Sequence, residues 1–356
     1  MAIGAVIDTE SFGWSTNWSD FVTYAKWSST GANPALVQGA APFGDNAITI
    51  GGGAVTVYKT LPQTLTKFTA GFRVFPIAVT TMLAFLDNAA NIQVCLQFNP
   101  FGTPNGQIGI FSGGSFPFGH GNSQIGLTPT PVIPVRQWVH ITADVVVDAV
   151  NGFVTLYVNG APVYSIGPTN TAQGSANGVE MIGLLGGGDG IAQMDFAHWY
   201  LQDQSAQTGN PPWGNPFGAP RVQCILPSGA GLHTEFSPEG AASNWQAAAT
   251  VPPDPSSVFN QDATVGAQDN FVTSGFDTAF SEIFAANVKT IAGVTTGGVR
   301  TMSSTIISAG TLAEGTAVSL GSPRQIPGIF QTDPATGVAW TFSGIEAAEP
   351  GYIIAS

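Results

Sequence analysis

Two short loops carry the oxygen-bearing side chains that could do chemistry. Asp87-Asn88, with Asn91, lies between apolar runs, and Asp189 stands in Gly186-Gly187-Gly188-Asp189-Gly190. Asp and Asn are also ordinary turn residues, because their side chains hydrogen-bond the backbone two residues on. The spacing alone therefore leaves two readings open, a site or a pair of turns. By count the rest of the chain holds the Ser, His and Asp of a triad, but no motif brings them together. There is no Gly-x-Ser-x-Gly elbow of the kind that exposes a nucleophilic serine. The four His are isolated: His140 and His198 in strand-like segments, His120 in Phe118-Gly119-His120-Gly121, and His233 in a Gly-rich turn. Cys95 and Cys224 lie far apart, each in an apolar run, and read as small buried hydrophobes without metal-type spacing. Among the aromatics, Trp14, Trp18, Trp27 and Trp213 are candidates for an exposed ring beside Asp and Asn. Trp213 is equally a candidate anchor at a subunit interface, where Trp is enriched. Trp138, Trp199 and Trp340 belong to strand patterns and read as core.

Composition narrows the classes. The chain has 356 residues, of which only 9% are charged, against about 25% in an average soluble domain. Nine Lys and Arg face 22 Asp and Glu, a net charge of −13. Nucleic-acid partners are excluded, since they require basic side chains to neutralise phosphates, and so are anionic membrane surfaces. With 44% hydrophobic and 10% aromatic residues the chain can build a core. Gly (45) and Pro (25) punctuate short apolar runs, the mark of an all-β protein with many turns. The N-terminus shows no basic segment followed by an apolar core, so neither an export signal nor a membrane span is expected.

The positioning elements are strands. Ala47-Ile48-Thr49-Ile50 and Ala54 to Tyr58 flank Gly51-Gly52-Gly53; Phe68 to Val74 and Asn91 to Phe98 alternate, which predicts one face on a core and the other in water. Trp138 to Val145 and Phe153 to Val158 form a meander, and Asn159-Gly160 suits a type I′ turn. Asp195 to Leu201 reads as a closing strand. Residues 206–220 are rich in Pro, Gly and Asn without periodicity, and read as a linker. Beyond it, Asn287 to Ala292, Thr305 to Ile307, Ala317 to Leu320 and Tyr352 to Ile354 read as strands. One short helix is expected near the end, with Ser343 as N-cap, Glu346 at the capping-box spacing and Gly351 after its last turn.

Gln137-Trp138-Val139-His140-Ile141, followed by Gly152 to Val163 with its Tyr157-Val158-Asn159-Gly160, resembles the concanavalin A-like (laminin G-type) lectin and glucanase superfamily. A second resemblance covers about residues 219–356. Arg221-Val222-Gln223-Cys224-Ile225-Leu226-Pro227, Ser243-Asn244-Trp245-Gln246, Pro252-Pro253-Asp254 and Asp333 to Thr341 look like a tail domain of bacteriophage and prophage structural proteins. Cys224 and Ser228 depart from the Thr and Asn usual there.

Together these imply an all-β chain in three parts. A concanavalin A-like jelly roll spans 1–205, a linker 206–220, and a smaller β-sandwich-like domain with one short helix 221–356. The first resemblance implies that rim loops of Asp and Asn can hold a cation or a sugar, which makes Asp87, Asn88, Asn91 and Asp189 the candidate ligand-binding set. Ca²⁺ takes about six to eight oxygens, and no specific motif supplies them, so no cofactor is expected. The glucanase members carry Glu-x-Asp-x-x-Glu, and none of the eight Glu here begins that pattern; no catalytic residue is expected. The second resemblance implies a phage virion protein, a capsid decoration, head-fibre or tail-associated component. Its expected partners are other virion proteins, a host glycan and further copies of itself, a trimer suiting a fibre. Alternatives are a glycan-binding adhesin and an endoglycanase. A virion protein is released by lysis, which accounts for the missing export signal.

Overall fold

The computed structural model describes residues 5–12, 14–15, 18–30, 34–37, 40–41, 46–50, 56–76, 81–98, 106–114, 123–174, 178–185, 194–213, 218–276, 280–295 and 299–356. The chain is nearly all-β, with antiparallel sheets arranged as sandwiches. It divides into two compact units, one comprising 1–13 and 26–222, the other 14–25 and 223–356.

The first unit is two packed sheets. An eight-stranded sheet runs Ala161–Thr169, Gly152–Val158, Val139–Val146, Lys67–Pro76, Met194–Asp203, Ala47–Ile50, Ala35–Val37, with Ala5–Glu10 also paired to Met194–Asp203. A seven-stranded sheet runs Ser123–Leu127, Ile108–Ser112, Ile92–Phe98, Thr81–Leu86, Val179–Leu185, Thr56–Leu65, Trp27–Thr30. The alternation seen in the sequence decides what lies between them. Phe68 and Phe72 project to the inner side and meet Phe85 and Phe98 of the other sheet, with ring centroids 4.9 and 6.4 Å apart. Val139, Ile141, Ala143 and Val145 stand opposite Val74, Phe72, Ala70 and Phe68 and are all buried on the same side. Asn159 and Gly160 both take positive φ (49° and 84°), which turns Gly152–Val158 into Ala161–Thr169 as the Asn-Gly pair predicts.

The outer faces differ from expectation. Every residue of Ile92–Phe98 is buried: Cys95 as its apolar neighbours suggest, but also Gln93 and Gln97, which alternation assigns to water. Tyr58, Phe111 and Met181 pack over Cys95, Ala84, Leu86 and Ile92. Burial pushes the Cys95 thiol up to about 12, so it stays an inert hydrophobe, whereas Cys224 is half-buried. Trp14, Trp18 and Trp27 are buried as well, and none offers an exposed face to a sugar. Trp27 lies over the Lys59 ammonium at 5.4 Å.

That lysine makes an ion pair with Asp8 (2.6 Å), both side chains nearly buried, and Asp8 also accepts the Trp199 indole N–H at 3.3 Å. Asp8 belongs to the eight-stranded sheet and Lys59 to the seven-stranded one, so the pair ties the two together.

The second unit has a six-stranded sheet in the order Pro227–Thr234, Gln268–Thr273, Glu349–Ile354, Thr301–Ser308, Thr311–Glu314, with Val318–Ser319 also on Thr301–Ser308. Ala286–Ala292 pairs with Arg324–Phe330, and Ser237–Glu239 with Phe259–Gln261. Phe236, Phe271, Met302, Ile326, Tyr352 and Ile354 form one core cluster, and Ile306, Phe330, Trp340, Ile345 and Ala348 another.

Among the described residues there are three helices rather than one: Trp18–Tyr24, Asn244–Ala248 and Phe342–Glu346. The last is the expected helix with its cap displaced. Thr341, not Ser343, accepts the Gly344 N–H at 3.0 Å. Gly351 is not a helix stop but lies within the strand Glu349–Ile354, where a Cβ would stand 2.0 Å from the Asp269 carbonyl oxygen. Close approach of backbones, not helix termination, requires glycine there. None of the described helices is long and apolar enough to cross a membrane.

Removing one partner of the Asp8–Lys59 pair leaves a buried charge uncompensated. Lys59→Met is expected to lower unfolding free energy by about 3–5 kcal/mol in urea titrations; a loss below about 1 kcal/mol would mean that the pair contributes no more than a surface ion pair.

Candidate functional site

Asp87, Asn88 and Asn91 come together in the turn between Thr81–Leu86 and Ile92–Phe98. Asp87 is 1% exposed. One carboxylate oxygen accepts the backbone N–H groups of Ala89 (2.9 Å) and Asn91 (2.8 Å); the other accepts the side-chain amides of Asn91 (2.8 Å) and Gln93 (3.4 Å). Gln93 in turn donates to the Gln173 carbonyl (3.1 Å) and accepts its N–H (2.8 Å). The Asp87 carboxylate is thus held by the turn it closes, and Asn88 is the exposed member of the set. Asp189 lies outside the described residues, as does His120. Among the described residues no group of three His, Cys, Asp or Glu side chains has metal-binding geometry.

A denser array of polar groups lies on the outer face of the eight-stranded sheet. Because Phe68, Ala70 and Phe72 point inward, Thr69, Gly71 and Arg73 point outward, and strand pairing aligns Asp144, Thr142 and His140 with them. Tyr157 stands opposite Thr142, and Tyr200 opposite Gly71. Tyr200 lies flat across that glycine: a Cβ at position 71 would be 2.1 Å from the ring. Its hydroxyl then reaches Thr142 (3.3 Å), and its ring stacks on His140 (centroids 5.9 Å apart, 6° between planes). Asp144 accepts hydrogen bonds from Thr69 (2.6 Å) and Tyr157 (3.1 Å). Asp195, on the same face, accepts one from Thr49 at 2.6 Å.

The centre of this face is polar and yet dry, while Arg73 and Asp195 are half-buried. His140, Thr142, Asp144, His198 and Gln202 have no exposed surface. The cover includes the chain that the composition marks as a linker. Gln204 donates to Thr69 Oγ1 (2.8 Å), and Lys67 reaches the Gln207 and Gly209 carbonyls (3.3 and 3.5 Å). The Trp213 backbone N–H donates to Asp144, and Arg73 donates to the Ala219 carbonyl (3.2 Å). In its described residues, then, 206–220 is a strap on the first unit, which runs to Val222. Trp213 is 7% exposed, buried in that strap instead of standing free as an interface anchor.

Burial sets the protonation of the face. It pushes Asp144 up to about 6 against the pull of its three donors. It pushes His140 down to about 3, with Arg73 and His198 adding repulsion. The polar phase His140-x-Thr142-x-Asp144 was present in the sequence, but nothing there shows that a strap 60 to 80 residues later shuts it from water.

No protein-family model matches the chain, and no curated protein does. Several solved structures resemble it at low similarity. One is the carbohydrate-binding module CBM66 from Bacillus subtilis, 14% identical, covering 50% of this chain and 96% of that one, TM-score 0.35. Another is a Bacillus subtilis protein of unknown function with a galectin-like fold, at 11% identity, 57% and 97% coverage, TM-score 0.38. A third is a carbohydrate esterase from Shiga toxin-encoding bacteriophage phi24B, at 9% identity, 57% and 100% coverage, TM-score 0.39.

An aspartate whose folded-state pKa is raised adds stability below its unfolded value of 3.8 and loses it as pH rises through about 6. The shift corresponds to about 3 kcal/mol. Wild type should therefore lose stability relative to Asp144→Asn between pH 4 and pH 7, measured by urea unfolding at both. A difference that is constant with pH would show that Asp144 is not desolvated.

Proposed function

We propose that this chain is a structural protein of a bacteriophage virion, displayed on the particle, with its first unit a lectin-like recognition module. The observation that carries the reading is where the second unit's phage-like residues sit. Asn244 donates to Asp269 (2.8 Å) and to the Phe236 carbonyl (2.7 Å), locking the helix Asn244–Ala248 to the sheet. Asp254 accepts from the Ser256 hydroxyl (2.6 Å), Asp333 from the Ala335 N–H (2.9 Å), and the Trp340 indole donates to the Phe330 carbonyl (2.9 Å). The residues on which the resemblance rests are thus the ones that close turns and fasten segments of that unit. Other virion proteins and further copies of the chain are its proposed partners.

Recognition and assembly, not hydrolysis, fit the first unit. Its two outer-face carboxylates, Asp144 and Asp195, are held by hydroxyl donors. Glycan binding is the second reading, and the exposed Asn88 beside the locked Asp87 turn favours it.

Immunogold labelling of purified particles with antibody against this chain tests the first reading. Label on heads or tails is the expected result, and unlabelled particles would overturn it. Asn88→Ala tests the second. It should abolish saturable binding to host polysaccharide while changing stability by less than about 0.5 kcal/mol, as surface substitutions do. Unchanged binding removes the rim from consideration. Asp87→Ala is a poorer probe, because it also unlocks the turn.

A further inference from the structure

We infer that the turn carrying Asn88 selects neutral glycans over acidic ones, and does so without a divalent cation. This choice of ligand rests on the glycan-binding reading of that turn.

Strand pairing says what shares an end of the first unit with the turn. Met181 pairs with Leu86 and Val179 with Leu65, so the Asp87 turn, Glu180 and the hairpin between Leu65 and Lys67 lie at one end. Val146 pairs with Lys67, which brings Asp148 there, and the Asp148 carbonyl accepts the Thr171 N–H at 3.0 Å. Gln93 ties residues 170–174 to the turn through its two bonds to Gln173. Asp189 is flanked differently. Leu185 pairs with Met82 and Met194 with Pro76, so the strands on either side of it finish at the end opposite Asp87.

Charge around the turn is one-sided. The Asp148 carboxylate accepts the Val150 and Asn151 N–H groups, and the Glu180 carboxylate accepts the Thr64 hydroxyl. Between Arg73 and Arg221 the sequence has a single basic residue, Arg136. Its backbone N–H bonds the Pro76 carbonyl (2.7 Å), at the opposite end. Lys67 gives its ammonium to the Gln207 and Gly209 carbonyls, Lys59 to Asp8, and Arg73 donates to the Ala219 carbonyl. Arg221 lies near Arg73. Lys26 stands beside Thr60, across Val179–Leu185 and Thr56–Leu65 from the turn. That is about 14 Å at the usual strand spacing, beyond the roughly 8 Å at which physiological salt screens exposed charges. An anionic sugar at the turn therefore meets carboxylates, on a chain of net charge −13, and no Lys or Arg in residues 77–127 or 170–194.

Asp87 is equally unsuited to a cation. Its two oxygens are taken by four donors, from Ala89, Asn91 (twice) and Gln93, whereas Ca²⁺ takes about six to eight oxygens. A primary amide offers donors and an acceptor together, which matches sugar hydroxyls, themselves both donor and acceptor. Asn88 presents such an amide at the exposed position of the turn.

The test is binding of the full chain, at low salt, to immobilised neutral polysaccharide and to polysaccharides bearing uronate, sialate or phosphate, each with and without EDTA. Neutral polysaccharide should bind saturably and be unmoved by EDTA. Acidic ones should bind about tenfold or more weaker, because like charges are juxtaposed. Asn88→Ala should lose the binding, and Asn88→Lys should shift preference towards acidic polysaccharide; circular dichroism checks that both variants fold. Acidic polysaccharide bound as tightly as neutral, or binding lost in EDTA, overturns the inference and leaves the glycan-binding reading standing. A neutral preference unchanged in both variants also overturns it, since the sugar then sits elsewhere on the chain. Binding to none of them overturns the reading and the inference together.

Discussion

A sheet face that buries Thr142, Asp144 and Tyr200 leaves those polar groups only protein to bond with. That constraint organises the first unit. It explains why Gly71 is needed beneath Tyr200, whose hydroxyl could not otherwise reach Thr142. It explains why Thr69 and Tyr157 flank Asp144. It also explains why a Pro- and Gly-rich stretch, with few side chains of its own to bury, is bound: its backbone supplies the Trp213 N–H and the Ala219 carbonyl. The inner face, by contrast, is an ordinary aromatic and aliphatic interface between two sheets.

Much of this fold was legible in the sequence where one local signal decided the outcome. Asn159-Gly160 specified its turn, and alternation in Phe68 to Val74 put Phe68 and Phe72 on the core. Signals that depend on distant chain were not legible. Period-2 alternation says which residues share a face, not whether that face meets water, so it places Gln93 and Gln97 in solvent that never reaches them. The helices Trp18–Tyr24 and Asn244–Ala248 are too short to show a helical period. In residues 206–213 and 218–220 no helix or strand forms, but the composition does not show that this chain packs on the sheet.

The candidate rim was legible only as a list of residues. Asp87, Asn88 and Asn91 do share one turn, but their spacing could not show that the carboxylate is spent on backbone and amide donors. The aromatics carried the same ambiguity. Trp14, Trp18 and Trp27 sit near polar neighbours in sequence, and burial, a property of the whole fold, removes them as sugar platforms. What could have been recovered is the polar phase of the strand Val139–Val146, read across its neighbours as one surface.

The pairing of Ala5–Glu10 with Met194–Asp203 has a consequence for biosynthesis. Within that sheet the strand made first has as its neighbour the strand made last, and the Asp8–Lys59 ion pair lacks the Trp199 contact until then. Until Met194–Asp203 has been synthesised, the edge of Lys67–Pro76 that it covers stays bare. Sandwiches dominated by such long-range pairings fold slowly and expose edges while they do. For this chain, the hazard of aggregation is concentrated in the interval between synthesis of its first strand and arrival of that strand's mate.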